Sequence, residues 1–146
     1  TEIEARYEIE VEQYIHSIQI EGRVLGDIAR NHVIPTAVKY QNILINNVRG
    51  LKDIYGEEYN KYASEQLILI SDISKYIEMI NSGVTKMINE RKRANIINDS
   101  LKRAEVYCNK VKPLFSDIRN GCDKLELLID DELWPLVKYR ELLFTS

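Results

Sequence analysis

Apolar residues recur along most of the chain at alternating steps of three and four, the spacing that gathers side chains on one stripe of a helix and would scatter them over both faces of a strand. Four such runs are predicted. Helix A extends from about Glu2 to Asn31, with Tyr7, Val11, Tyr14, Ile18, Leu25 and Ile28 on its stripe and Glu21 as the one polar intruder. Gly22 and Gly26 fall inside it. They fit either a close approach by another helix or two tolerated glycines, each costing roughly 1 kcal/mol relative to alanine; the second is the plainer expectation. Pro35 lacks an amide donor and disfavours helical geometry at Ile34, which predicts a break or kink there.

Helix B follows from about Thr36 to Ile54 as a bent continuation of A, carried by Val38, Leu44, Ile45, Val48 and Leu51. Gly56 marks its stop, since glycine accepts the left-handed backbone of a helix end. Glu57 and Glu58 then suit the positive start of the next helix. Helix C is predicted from about Glu57 to Asn95, about 58 Å long. Ala63, Ile70, Ile77 and Val84 hold one heptad position and Ile73, Ile80 and Met87 the other. Leu67, Ile68 and Leu69 make its first half apolar on more than one side, as expected of a helix lying between neighbours. Asn98, Asp99 and Ser100 offer caps for helix D. Its stripe is Leu101, Ala104, Cys108, Val111, Phe115, Ile118, Cys122, Leu125 and Ile129, and Pro113 should bend it. The predicted fold is all-α: an antiparallel bundle of long helices, A/B kinked at Pro35, then C, then D kinked at Pro113, with a short C-terminal segment.

A chain of 146 residues fits one helical domain, residues 1–146, with a core that needs no staples. The formal charge of −3 and the mixing of basic with acidic residues argue against nucleic acid as a partner. Its longest unbroken apolar run, Leu67 to Ile70, is far short of a membrane span. Cys108 and Cys122 stand about 21 Å apart along one helix and cannot bridge within it. Few cysteines and no secretory pattern fit a cytoplasmic setting. The chain opens on Thr1 directly into a helical pattern, which reads as the cut-out C-terminal part of something longer.

Chemistry is harder to find. A di-metal carboxylate bundle needs Glu-x-x-His pairs, and none occurs. Glu12 and His16 lie one turn apart, but His16 and His32 point about 160° from each other on a straight helix and cannot share an ion. Asp130, Asp131 and Glu132 are consecutive and diverge, which fits a solvated turn or a helix cap better than a cation site. Arg91, Lys92, Arg93, Lys102 and Arg103 flank the C to D turn; they could meet phosphate, yet a solvated helix end explains them. Both cysteines sit on the core stripe, where an inert buried thiol is expected. With no glycine-rich phosphate cradle either, no catalytic, cofactor-binding or metal residue is assigned.

The run Lys124 to Phe144 is the least generic. It completes a helical stripe, turns acidic, then presents Trp134, Pro135, Tyr139 and Phe144. Trp134, Tyr139 and Phe144 are the expected docking anchors, because aromatic side chains bury large areas for few torsions ordered.

The segment IDDELWPLVKYRELLF resembles the C-terminal end of the type III glutamine synthetases, the long bacterial class. IQIEGRVLGDIARNHVIPTAVKYQN (Ile18 to Asn42), NVRGLKDI and AEVYCNKVKPLFSDIR resemble the same region in the same order, so the resemblance covers essentially the whole chain. Val137 stands where the family carries a second proline after Trp-Pro-Leu. The resemblance implies a parent enzyme that joins ammonia to glutamate with ATP and magnesium or manganese, using motifs upstream of this chain. It implies a non-catalytic helical domain in scaffolding, domain docking or oligomer assembly, whose partners are its own upstream catalytic domain and neighbouring subunits of a homo-oligomer. The alternative is a regulatory module that binds an effector or partner between its helices.

Overall fold

A computed structural model describes residues 1–134. α1 (Glu2–Ile28) opens on Thr1, whose side chain and Glu4 form a reciprocal capping box. It runs through a π-helical turn, Ala29–Val33, straight into α2 (Ile34–Tyr55). Gly56, at φ 59°, ends α2 and takes the positive φ that a side chain would resist. A 3-10 turn (Gly56–Tyr59) leads into α3 (Asn60–Ile96), and the rings of Tyr55 and Tyr62 stack across the reversal at 4.2 Å. After Ile97 turns extended, α4 (Ser100–Val106) starts with the Asp99 side chain accepting from the Lys102 amide at 3.2 Å. A second π turn (Tyr107–Val111) carries it into α5 (Lys112–Leu128). The expected all-α bundle is present, with A and B forming one continuous helical path and no strand among the described residues.

Neither Pro35 nor Pro113 stops its helical path. Each follows a π turn by one residue, in the same local sequence: Asn31-His32-Val33-Ile34-Pro35 and Asn109-Lys110-Val111-Lys112-Pro113. In each turn the amide just before the proline reaches back five residues, Ile34 to the Ala29 carbonyl and Lys112 to the Tyr107 carbonyl. A wide turn of this kind accommodates the lost donor without stopping the helix.

Side-chain hydrogen bonds read out the register. Along α1 and α2 they pair Gln19 with Asn95 (3.4 Å), Arg30 with Thr85 (2.7 Å), Gln41 with Ser74 (2.7 Å) and Asn47 with Gln66 (2.7 Å). One number rises as the other falls, so α3 runs antiparallel to the α1–α2 path. α5 packs on α3 through a reciprocal contact. Ile118 lies over Gly83, where an added Cβ would stand 2.9 Å from its Cγ1, and Ile80 lies over Gly121, where it would stand 2.6 Å away. Two Ile-x-x-Gly segments thus interlock, each isoleucine filling the gap left by the other helix's glycine. Ile73, Ile80, Ile118, Leu125, Val33 and Val111 are fully buried around this seam, each worth about 1.5–3 kcal/mol of apolar transfer.

The stripes differ from expectation in detail. On α1 the core face is Ile15, Ile18, Gly22 and Gly26, continuing into Ala29, while Tyr7 and Tyr14 stay exposed. The glycines are a close approach after all: a Cβ on Gly22 would lie 3.3 Å from the Phe115 ring, and one on Gly26 3.4 Å from Met87. Past Ala104 the core position comes three residues on instead of four, so Tyr107 is fully buried and Cys108 faces out. α3 does not bury its first half on every side, since Leu67 and Ile68 are exposed.

Candidate interaction sites

The acidic turn after α5 is built on Asp130. Its carbonyl accepts from the amides of Leu133 (3.0 Å) and Trp134 (3.2 Å), and its side chain accepts from the Glu132 amide at 3.0 Å. Three consecutive acids are therefore accommodated as a turn. The reversal lays Trp134 against the bundle at 8% exposure, in the same apolar cluster as Leu125 and Ile129, with its indole nitrogen buried and without a hydrogen-bond partner among the described residues. Tyr139 and Phe144, the other expected anchors, lie outside the described residues.

Apolar surface remains open elsewhere. On the α2–α3 hairpin, Ile43, Ile54, Tyr62 and Ile68 are each more than half exposed. On α1, Ile20 and Val24 stand one turn apart and are similarly open, so they share a face. The sequence stripes could not separate these from the core, because periodicity marks apolar positions without saying which of two apolar faces finds a partner.

The basic residues flanking the α3–α4 turn do not converge; the structure divides them. Arg103 joins Glu12, His16 and Gln19 along a groove between α1 and α4. Arg91 enters a second groove, between α1 and α3, whose walls carry Arg23, Asp27 and Arg30 and whose floor includes Met87 and Ile88. The Nε of both Arg91 and Arg103 is buried without a hydrogen-bond partner among the described residues. Between the grooves, a part-buried polar set ties three elements together. Gln19 donates to the Tyr107 hydroxyl at 2.9 Å, and that hydroxyl donates to Asn95 Oδ1 at 2.5 Å. Glu21, the intruder on the α1 stripe, pairs with Arg119 of α5.

His16 and His32 serve separate surroundings, His32 lying 3.8 Å from Asp27. No group of three or more His, Cys, Asp or Glu side chains is arranged to hold a metal ion among the described residues. No described helix is long and apolar enough to cross a membrane. Burial, reinforced by the Asp123 carboxylate, pushes the Cys122 thiol up to about 11. Cys108 is exposed and touches Tyr14, whose phenol is pushed up by its hydrogen bond to that thiol.

Residues 1–52 match the family model of the glutamine synthetase C-terminal domain. Over its full length the chain is 45% identical to a glutamine synthetase of Bacteroides fragilis (strain YCH46). It is 26% identical, over 98% of its length, to a type-3 glutamine synthetase of Dictyostelium discoideum, and 24% identical, over 99%, to a glutamine synthetase of Butyrivibrio fibrisolvens. In each case the chain spans 20% of the relative's length.

Proposed function

The chain belongs to the glutamine synthetase family, as its C-terminal domain, and from that premise we propose that it is a non-catalytic docking and assembly module. In this reading the ligase chemistry, with its ATP and divalent metal, belongs to the other four fifths of the family's length. The helices here present surfaces to the upstream catalytic domain and to neighbouring subunits of a cytoplasmic homo-oligomer. One observation supports the reading above others: the α2–α3 hairpin keeps Ile43, Ile54, Tyr62 and Ile68 more than half open. Scattered exposed apolar residues are ordinary, but several on one two-helix projection favour a partner surface. Trp134, by contrast, supports docking of the chain's end onto its own bundle. Removing the domain from the full-length enzyme and weighing the product by native mass spectrometry tests the role. Loss of the assembled species is the expected result, and an unchanged assembly contradicts it. The isolated chain should form no glutamine from glutamate, ammonia and ATP.

A regulatory role has its own supporting observation, the arginine-lined groove between α1 and α3.

A further inference from the structure

The groove between α1 and α3 gathers more positive charge than its surroundings balance. Arg23 comes from α1 and Arg30 from the π turn that continues it, seven residues apart and both lining the groove, and Arg91 comes from α3. Against these three guanidinium groups stands one carboxylate, Asp27, leaving a surplus of two positive charges. Asp27 is itself occupied at the groove's edge, accepting from the Asn31 side chain at 2.6 Å with His32 3.8 Å away. None of the three arginines makes an ion pair among the described residues. Arg30 is held by neutral partners, donating to Thr85 Oγ1 at 2.7 Å and to the Asn81 carbonyl at 3.4 Å, so its position is fixed while its charge stays uncompensated. Arg91 is half-buried and its Nε has no acceptor among the described residues.

A buried guanidinium donor without an acceptor is costly and calls for a partner from outside the chain. Met87, Val84 and Ile88, with Gly22 and Gly26 packed against Met87, supply the apolar lining beneath the guanidinium groups. The antiparallel register sets Arg23 and Arg91 toward one end of the groove, where Gly22 meets Met87, and Arg30 toward the other, where it meets Thr85.

From this arrangement we infer that the α1–α3 groove is a binding site for a small dianion of the phosphate class, free phosphate or a phosphate monoester. Two guanidinium groups at one end match the several oxygens of a phosphate, and a double negative charge balances the surplus of two. A monocarboxylate would leave half of that surplus unmet. The inference is independent of the assembly role, because the groove lies on α1 and the C-terminal third of α3, away from the exposed end of the hairpin.

The test uses the full chain at low ionic strength, following the Arg Nε–Hε resonances by NMR during titration with inorganic phosphate, phenyl phosphate and, for comparison, glutarate. Saturable shifts of the Arg91 resonance with phosphate or phenyl phosphate are expected. Arg91→Gln should weaken binding at least tenfold, Arg23→Gln, on an exposed side chain, should weaken it severalfold with no change in melting temperature, and Asp27→Asn should tighten it. Response to inorganic phosphate alone would identify the free ion as the ligand, and stronger response to phenyl phosphate a monoester over the apolar floor. No saturable shift, unchanged binding in Arg23→Gln, or glutarate binding as tightly as phosphate would each overturn the inference.

Discussion

At the scale of single residues, the glycines separate by what surrounds them. Gly50 lies inside α2 with nothing within 4 Å of an added Cβ, so Gly50→Ala should stabilise the chain by about 0.5–1 kcal/mol through helix propensity. Gly121→Ala drives a methyl to 2.6 Å from Ile80 Cγ1 and should cost about 1–3 kcal/mol as overpacking. Urea midpoints of the two variants should move in opposite directions; movement in the same direction would remove the interlocked contact from the account. The cysteines divide in the same way. Cys108 is exposed, and iodoacetamide should label it first in the native chain, with Cys122 labelled only on unfolding or strong alkali. With the folded thiol of Cys122 raised from 9.0 to about 11, its contribution to stability is complete below pH 9. It is lost between about pH 9 and 11, as the unfolded chain ionises first. A Cys122→Ala variant should therefore show a shallower loss of stability over that interval. Periodicity placed both thiols in the core; it missed that Tyr107, which carries its own hydroxyl partners, takes the position next to Cys108. The two Ile-x-x-Gly segments were visible in the sequence, but nothing in one chain's spacing says that they face each other.

Among the elements, the long helices were legible because their apolar steps, caps and the stop at Gly56 agree with one another. What could not be read is how the helix carries on through Pro35 and Pro113. A proline by itself argues for a break, and only the backbone reveals the five-residue hydrogen bond that lets each helix continue. The repeated Asn-x-Val-x-Pro sequence was a signal, with the buried Val33 and Val111 as its fixed points. α1 was misjudged by phase, since its glycines are part of the core face and carry no hydrophobicity to count. The segment after α5 belongs to this scale too. With Trp134 at 8% exposure in the core cluster, Trp134→Ala should lower stability by about 3–5 kcal/mol, read as a fall in melting temperature. An unchanged melting temperature would mean that the tail does not anchor the bundle.

For the molecule as a whole, the open apolar side chains on the α2–α3 hairpin are what support the proposed docking role. A domain equal to one fifth of its relatives' length, with its own core and open apolar faces, is suited to joining larger bodies. The candidate sites were the least legible feature. The basic residues near the α3–α4 turn looked like one solvated helix end, yet the fold sends Arg91 and Arg103 into different grooves, a division set by α1 and its π turn, whose contribution lies 60 or more residues away in sequence. The docking role is tested most directly by introducing Ile54→Asp and Ile68→Asp together into the full-length enzyme and measuring its native mass. Both side chains are exposed, so the isolated domain should keep its melting temperature within about the ±0.5 kcal/mol expected of surface changes. The full-length variant should lose its assembled form. A native mass identical to that of the unaltered enzyme would contradict the docking role.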